Sequence, residues 1–121
     1  MRVVAGRYGS RPLKPVPGLN TRPTTDKIKE AIFSSLGGFF DGGLCLDFYG
    51  GSGALAIEAV SRGMDRAVMT EKYRPALQTI KQNVAMTKEE EHFTVLAGDN
   101  RKSLQSLKVS EADLVFDLVL L

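Results

Sequence analysis

The stretch LCLDFYGGSG, residues 44–53, decides the fold predicted for this chain. An apolar run that is typical of a buried strand reaches Asp47 and passes directly into a turn that holds three glycines. The residues from Ala54 to Arg62 then favour a helix, and Gly63 stands where a glycine commonly follows a helix end. A strand that enters a helix through a glycine-rich turn is typical of open α/β sheets, which bind ligands at this edge.

The same strand and helix alternation continues toward the carboxyl end. Further strands are predicted over residues 67–71, 93–98 and 114–121, with one helix opening at Pro75 and a shorter one over residues 100–107. Repeated units of this kind, with apolar strands, predict an α/β fold with a largely parallel sheet and helices on both faces.

The residues before the first strand form a different region. Three prolines and short extended pieces predict a hairpin-like extension over residues 1–22, with the α/β part over residues 23–121. Thr24 or Thr25 is expected to cap a helix that runs to about residue 36. The apolar positions expected on the buried face of this helix are Ile28, Ala31, Ile32 and Leu36.

Composition narrows the classes of protein. The chain has 121 residues and 13.2 kDa, with 43% hydrophobic and 25% charged residues, which fits one globular domain and argues against disorder. No apolar run approaches the roughly 20 residues that span a bilayer, and the start resembles no signal peptide. A single cysteine, Cys45, and a single histidine, His92, argue against a disulfide or a zinc site, so we expect no metal and a cytoplasmic location.

Charge is unevenly distributed along the chain. Residues 1–29 hold seven basic residues and one acidic residue, a net charge of +6, while the remainder holds nine basic and thirteen acidic residues, a net charge of −4. Basic side chains gain affinity for a polyanion by releasing its counterions. The sequence therefore favours either an arm that faces nucleic acid or a solvated hairpin whose charges only aid solubility.

Acidic residues mark the carboxyl ends of three successive strands. Asp47 would repel a pyrophosphate but suits a ligand with an ammonium or sulfonium group, and S-adenosylmethionine has both. Glu71 can accept both ribose hydroxyls of an adenosine. Asp99 can accept from the adenine amine, with the Asn100 backbone beside the ring. Tyr49 either packs beside the cofactor or only fills the turn.

Each of these residues also has a structural interpretation. Asp47 could be a turn residue, Glu71 a solvated strand end and Asp99 a helix cap. A competing ligand is NAD(P), because residues 51–56 satisfy a G-x-G-x-x-A pattern and the acid at position 71 has suitable spacing. The aspartate before the turn and the long basic segment argue against such an oxidoreductase domain. A third hypothesis is a non-catalytic RNA-binding module.

The motifs also resemble one family. The segment over residues 47–63, together with RVVAG at residues 2–6 and RPTTDKIKEAIF at residues 22–33, is similar to signatures of the RsmD-type 16S rRNA guanine-N2 methyltransferases. The resemblance covers essentially the whole chain, although this family more often has alanine at the position of Gly50.

The resemblance implies a Rossmann-like fold, S-adenosylmethionine as cofactor and 16S rRNA or an assembling small ribosomal subunit as partner. We also expect the protein to be a monomer. The expected cofactor-binding residues are Asp47, Tyr49, Gly50, Gly51, Ser52, Gly53, Glu71, Asp99 and Asn100. The residues expected to contact RNA are Arg2, Arg7, Arg11, Lys14, Arg22, Lys27 and Lys29.

The end of the sequence carries one further expectation. In the resembled family the fourth strand leads into an Asp/Asn-Pro-Pro-Tyr/Phe motif that holds the target amine, and this chain stops at Leu121, before such a motif. We therefore assign no catalytic residue. An apolar strand without a polar cap would leave an exposed edge, so we expect the natural polypeptide to continue, the alternative being a terminal strand buried by a partner.

Overall fold

The computed structural model describes residues 1–17, 25–48, 51–98 and 117–120. Its centre is a sheet of four parallel strands in the order β3-β2-β1-β4. The strands are β1 (Leu44–Asp47), β2 (Arg66–Glu71), β3 (Phe93–Ala97) and β4 (Leu118–Leu120). The helices are α1 (Asp26–Ser35), α2 (Ala54–Ser61) and α3 (Arg74–Met86), with a short 3₁₀ helix at Glu90–His92. The predicted parallel α/β architecture is confirmed.

The sheet places β1 between β2 and β4, with Asp47 opposite Met69 on one side and Leu120 on the other. All the strands point in the same direction, so their carboxyl ends lie along one edge. This edge is the one at which an open α/β sheet binds its ligands.

Helix α2 is the central helix of the molecule. Seven of its eight residues are buried, and its apolar side chains belong to the same core as β1 and β2. Gly63 follows the helix with φ of +123°, and a Cβ at this position would lie 1.9 Å from the Phe40 carbonyl oxygen. The predicted glycine stop is therefore confirmed, and close packing adds to the conformational reason for it.

Helix α1 begins as predicted but buries a different face. Thr25 caps it, since its side chain accepts a hydrogen bond from the Ile28 N–H at 3.2 Å. The buried residues are Lys29 and Phe33, whereas Ile28 and Leu36 are 52% and 44% exposed. Ala31 is exposed as well, and Ile32 is only partly buried. The predicted buried face is wrong because the buried partners of this helix include a charged group on α2, which an apolar pattern does not reveal.

The amino-terminal arm, defined here as residues 1–17, is hairpin-like and is the part of the predicted extension over residues 1–22 that the structure describes. Arg2 pairs antiparallel with Pro12, and the Val3 N–H donates to the Arg11 carbonyl at 3.0 Å. Val3, Tyr8 and Leu13 are buried in the main core. The arm is thus packed into the α/β core and contributes apolar side chains to it.

Two predicted elements fall wholly or partly beyond the described ranges. The short helix predicted over residues 100–107 lies outside them, and only residues 118–120 of the strand predicted over residues 114–121 are described as β4. Among the residues that the structure describes, no helix combines the length and apolar character needed to cross a membrane.

Candidate functional site

Two acidic residues end neighbouring strands at the carboxyl edge of the sheet. Asp47 is the last residue of β1 and is only 3% exposed, and Glu71 is the last residue of β2 and is half-buried. Strands β1 and β2 pair in parallel, so both residues lie at the same edge. The sequence-based expectation that these two acids meet at one edge is confirmed.

Asp47 is nearly buried on the same strand as a core cysteine. Cys45 lies two residues earlier on the same strand and face, and burial raises the pKa of its thiol to about 12, with a smaller contribution from the charge of Asp47. The buried cysteine is therefore a core residue. A carboxylate of low exposure favours a cationic ligand group over an anionic one, because little water screens it.

Glu71 holds the turn that follows β1. One of its carboxylate oxygens accepts a hydrogen bond from the Gly51 N–H at 3.0 Å. The other accepts from the N–H groups of Lys72 and Tyr73 at 2.9 and 3.2 Å. Its carboxylate thus fastens the glycine turn to the end of β2, a structural role in addition to any contact with a ligand.

The backbone of the glycine turn has positive φ at two positions, which favours glycine. Gly51 and Gly53 have φ of +56° and +81°, and Gly53 caps α2 without a side-chain hydrogen bond. A helix that begins in this way leaves backbone N–H groups available at its first turn. The strand end before the turn is also held, because the Thr70 hydroxyl donates to the Phe48 carbonyl at 2.5 Å.

Several predicted site residues cannot be placed. Tyr49, Gly50, Asp99, Asn100 and Arg22 lie outside the described residues. The end of β3 does reach the edge, since the Gly98 N–H donates to the Glu71 carbonyl oxygen at 2.9 Å. The roles assigned to these five residues remain predictions.

Sequence reasoning missed two buried polar residues. One contacts the arm, and the other contacts both the arm and the glycine turn. Asn83 on α3 is 2% exposed and bonds to both Lys14 and Ser52. Glu58 on α2 is fully buried and accepts from the Val4 and Ala5 N–H groups at 2.9 and 3.1 Å. Their partners lie far away in the sequence, so no local pattern marks either residue.

The basic residues of the predicted RNA-contacting set differ in accessibility. Arg2 is exposed, but its Nε donates to Asp26 at 2.8 Å and lowers the pKa of that carboxyl group. Arg7 forms an ion pair with Glu89 at 3.3 Å. Arg11 donates to the Thr87 carbonyl at 3.0 Å and is partly buried. Lys14 and Lys27 are exposed.

Lys29 is the exception in that set. Its side chain is fully buried, its ammonium group lies 3.6 Å from the Glu58 carboxylate, and it donates to the Arg2 carbonyl. The prediction that Lys29 contacts RNA is wrong, because this charge is already paired inside the core. Tyr8 of the arm is 1% exposed and its ring lies 6.5 Å from that of Phe93, so it packs within the core.

The parallel sheet, the glycine turn and the acids at its carboxyl edge define a Rossmann-like fold. The chain belongs to the family described as "Conserved hypothetical protein 95", whose family model matches residues 1–121. This match confirms the family resemblance that the sequence motifs indicate.

Curated relatives carry methyltransferase names. The chain is 43% identical over 106 residues to the "Putative rRNA methyltransferase YlbH" of Bacillus subtilis, covering 88% of this chain and 58% of that protein. It is 38% identical over 90 residues to the Ribosomal RNA small subunit methyltransferase D of Escherichia coli K12, covering 73% of this chain and 44% of that protein. The chain thus matches about half of the length of these relatives.

A solved structure agrees with this assignment. The chain superposes on the "Putative methyltransferase yhhF from Escherichia coli" with a TM-score of 0.72 and 36% identity, covering 86% of this chain and 56% of that one. The methyltransferase type of fold therefore follows from a structural as well as a sequence comparison.

Proposed function

We propose that this chain is the cofactor-binding part of an S-adenosylmethionine-dependent methyltransferase that modifies the exocyclic N2 of a guanine in 16S rRNA. In this proposal residues 23–121 bind the cofactor and residues 1–22 form a basic extension that faces RNA. Family membership and the printed names of the relatives support the class of reaction and of substrate.

The observation that carries the proposal is the placement of Asp47 beside the glycine turn. A nearly buried carboxylate at the end of a central strand suits the cationic methionine part of S-adenosylmethionine. The same charge disfavours the pyrophosphate of a dinucleotide, because like charges repel strongly where water is scarce. The residues present therefore fit the proposed cofactor better than they fit NAD(P).

Each site residue has a proposed role toward the cofactor. Asp47 orients the cationic end, Glu71 accepts from the ribose, and the backbone of Gly51, Ser52 and Gly53 permits close approach. Tyr49, Gly50, Asp99 and Asn100 are proposed to complete the site around the adenosine.

The cofactor supplies an electrophilic methyl group on a sulfonium. The guanine amine is a poor nucleophile because its lone pair is delocalised into the ring, so this chain would contribute by positioning and by excluding water. No catalytic residue is assigned. We further propose a cytoplasmic monomer that needs neither a metal ion nor a membrane.

Calorimetry with the purified chain tests this proposal. S-adenosylhomocysteine, which presents the same adenosine and amino-acid groups, should bind, and NAD should not. Asp47→Asn should weaken binding by about 1–3 kcal/mol, because a charged hydrogen-bond acceptor is lost.

Asp41→Asn is the matched control, since Asp41 is exposed before β1, at the opposite edge of the sheet. Its affinity should equal that of the unsubstituted chain. Binding of NAD alone would favour an oxidoreductase domain, and binding of neither nucleotide would favour an RNA-binding module. Equal affinity of the Asp47 variant and the unsubstituted chain would contradict the role given to Asp47.

A further inference from the structure

Asn83 connects two segments that are far apart in the sequence. It lies on α3, is 2% exposed, and uses its whole side-chain amide. Its Oδ1 accepts from the Lys14 N–H at 2.8 Å, and its Nδ2 donates to the Lys14 carbonyl at 3.0 Å and to the Ser52 carbonyl at 2.7 Å. One side chain therefore joins the amino-terminal arm to the glycine turn.

The chemistry of these three bonds requires an amide. Toward Lys14 the side chain acts as a neighbouring strand would, because it pairs with both the N–H and the C=O of one residue. The second hydrogen of the same NH₂ group remains for the turn. A carboxylate has the same shape but no hydrogen to donate, and would face two carbonyl oxygens.

The bond to Ser52 also orients the turn. In a trans peptide the carbonyl and the following N–H point in opposite directions. Holding the Ser52 carbonyl toward α3 therefore directs the Gly53 N–H away from α3. Glu71 holds the Gly51 N–H at 3.0 Å, so the turn is fixed by two different side chains.

We propose that Asn83 is a positioning residue that holds the glycine turn in its ligand-binding shape by fastening it to the docked arm. This inference rests on the proposed binding of the cofactor at the turn. Because the arm and the turn share one side chain, loosening either segment loosens the other. Any ligand of the arm and the ligand of the turn are then coupled through Asn83, and such coupling is reciprocal.

The test compares Asn83→Asp with Gln82→Glu. Both variants change an amide to an acid on the same helix, but Gln82 is exposed. By calorimetry, Asn83→Asp should bind S-adenosylhomocysteine about 10-fold more weakly or worse, since buried carbonyls lose their donors. Gln82→Glu should keep the affinity of the unsubstituted chain.

Amide hydrogen exchange gives a readout that does not depend on any ligand. In Asn83→Asp, exchange should accelerate both in residues 12–17 and in residues 51–53, while Gln82→Glu changes neither segment. If Asn83→Asp fails to fold, Asn83→Ala replaces it with the same expectations, because the smaller side chain leaves room for water at the freed groups.

The outcomes separate this inference from the proposed function. Unchanged affinity in a folded Asn83 variant, or acceleration in only one of the two segments, overturns the role of Asn83. If the unsubstituted chain does not bind S-adenosylhomocysteine, the proposed function fails, and the exchange experiment still decides whether Asn83 links the arm to the turn.

Discussion

Glu58 is a fully buried carboxylate on α2 that interacts with donor groups from three parts of the chain. It accepts from the backbone of Val4 and Ala5, from the Arg62 Nε at 2.8 Å, and lies 3.6 Å from the Lys29 ammonium. Burying a charge is costly unless it is paired and hydrogen-bonded. The Glu58 carboxylate has both charged partners and hydrogen-bond donors. This cluster specifies how the arm and α1 dock on α2.

Glu58→Gln should destabilise the chain by about 3–5 kcal/mol, because it leaves the buried Lys29 without its counter-charge. The free energy of unfolding in urea measures this. In a Lys29→Met background the same substitution should cost less, since no buried ammonium remains.

Glu30→Gln is the control, because Glu30 pairs with Arg62 but its side chain is 52% exposed. It should cost much less than Glu58→Gln, because solvent screens an ion pair with an exposed carboxylate. An equal cost of Glu58→Gln in both backgrounds would show that Lys29 and Glu58 are not energetically coupled.

At the scale of elements, the arm and α2 meet at Gly6 and Ser61. The Ser61 carbonyl accepts from the Arg7 N–H at 2.9 Å, and its hydroxyl accepts from the Tyr8 N–H at 3.0 Å and donates to the Ala5 carbonyl at 2.6 Å. Gly6 has φ of +87°, and a Cβ there would lie 1.9 Å from the Ser61 carbonyl oxygen. Only glycine permits this approach of the arm to the helix.

Gly6→Ala should therefore destabilise the chain by about 2–5 kcal/mol, which combines backbone strain with overpacking. Gly37→Ala separates the two effects, because Gly37 also has positive φ, +101°, but nothing lies within 4 Å of the added Cβ. We expect Gly37→Ala to lower the free energy of unfolding by the backbone strain alone, about 1 kcal/mol. Thermal or urea unfolding measures both, and similar losses would mean that the arm shifts freely on α2.

Across the whole molecule, the basic arm and the start of α1 lie on a more acidic body. Part of this charge is internally paired, since Arg2 and Arg7 contact Asp26 and Glu89. Lys14 and Lys27 are exposed, and together with Arg11 and Arg22 they complete the set that we propose to contact RNA. The usable positive charge is therefore smaller than the sequence count of residues 1–29 indicates.

The double variant Lys14→Glu/Lys27→Glu should bind a 16S rRNA fragment more weakly and with a shallower dependence on salt. Each lost phosphate contact should reduce the slope of log affinity against log salt by about 0.7–0.9. Filter binding across a salt series measures this, and S-adenosylhomocysteine affinity should stay unchanged.

Lys81→Glu serves as the matched charge reversal, because Lys81 is exposed on α3, outside the proposed contact set. It should alter the slope less than the double variant. If Lys81→Glu has the larger effect, the RNA surface lies elsewhere on the molecule.

The sequence alone determined the parallel α/β fold, the glycine turn and the acids at its edge. These features are local: the alternation of strands and helices, the glycines after Asp47 and the Thr25 cap each depend on neighbouring residues. The family resemblance was equally readable, because its motifs are contiguous stretches of the chain.

Only the tertiary structure decided which polar groups are buried and what they hold. Lys29 is buried because it pairs with Glu58 on another helix, and Asn83 is buried between Lys14 and Ser52, which are 69 and 31 residues away from it. The desolvation cost of a buried polar group is offset by partners that folding supplies from distant segments. For this reason no local pattern in the sequence identifies them.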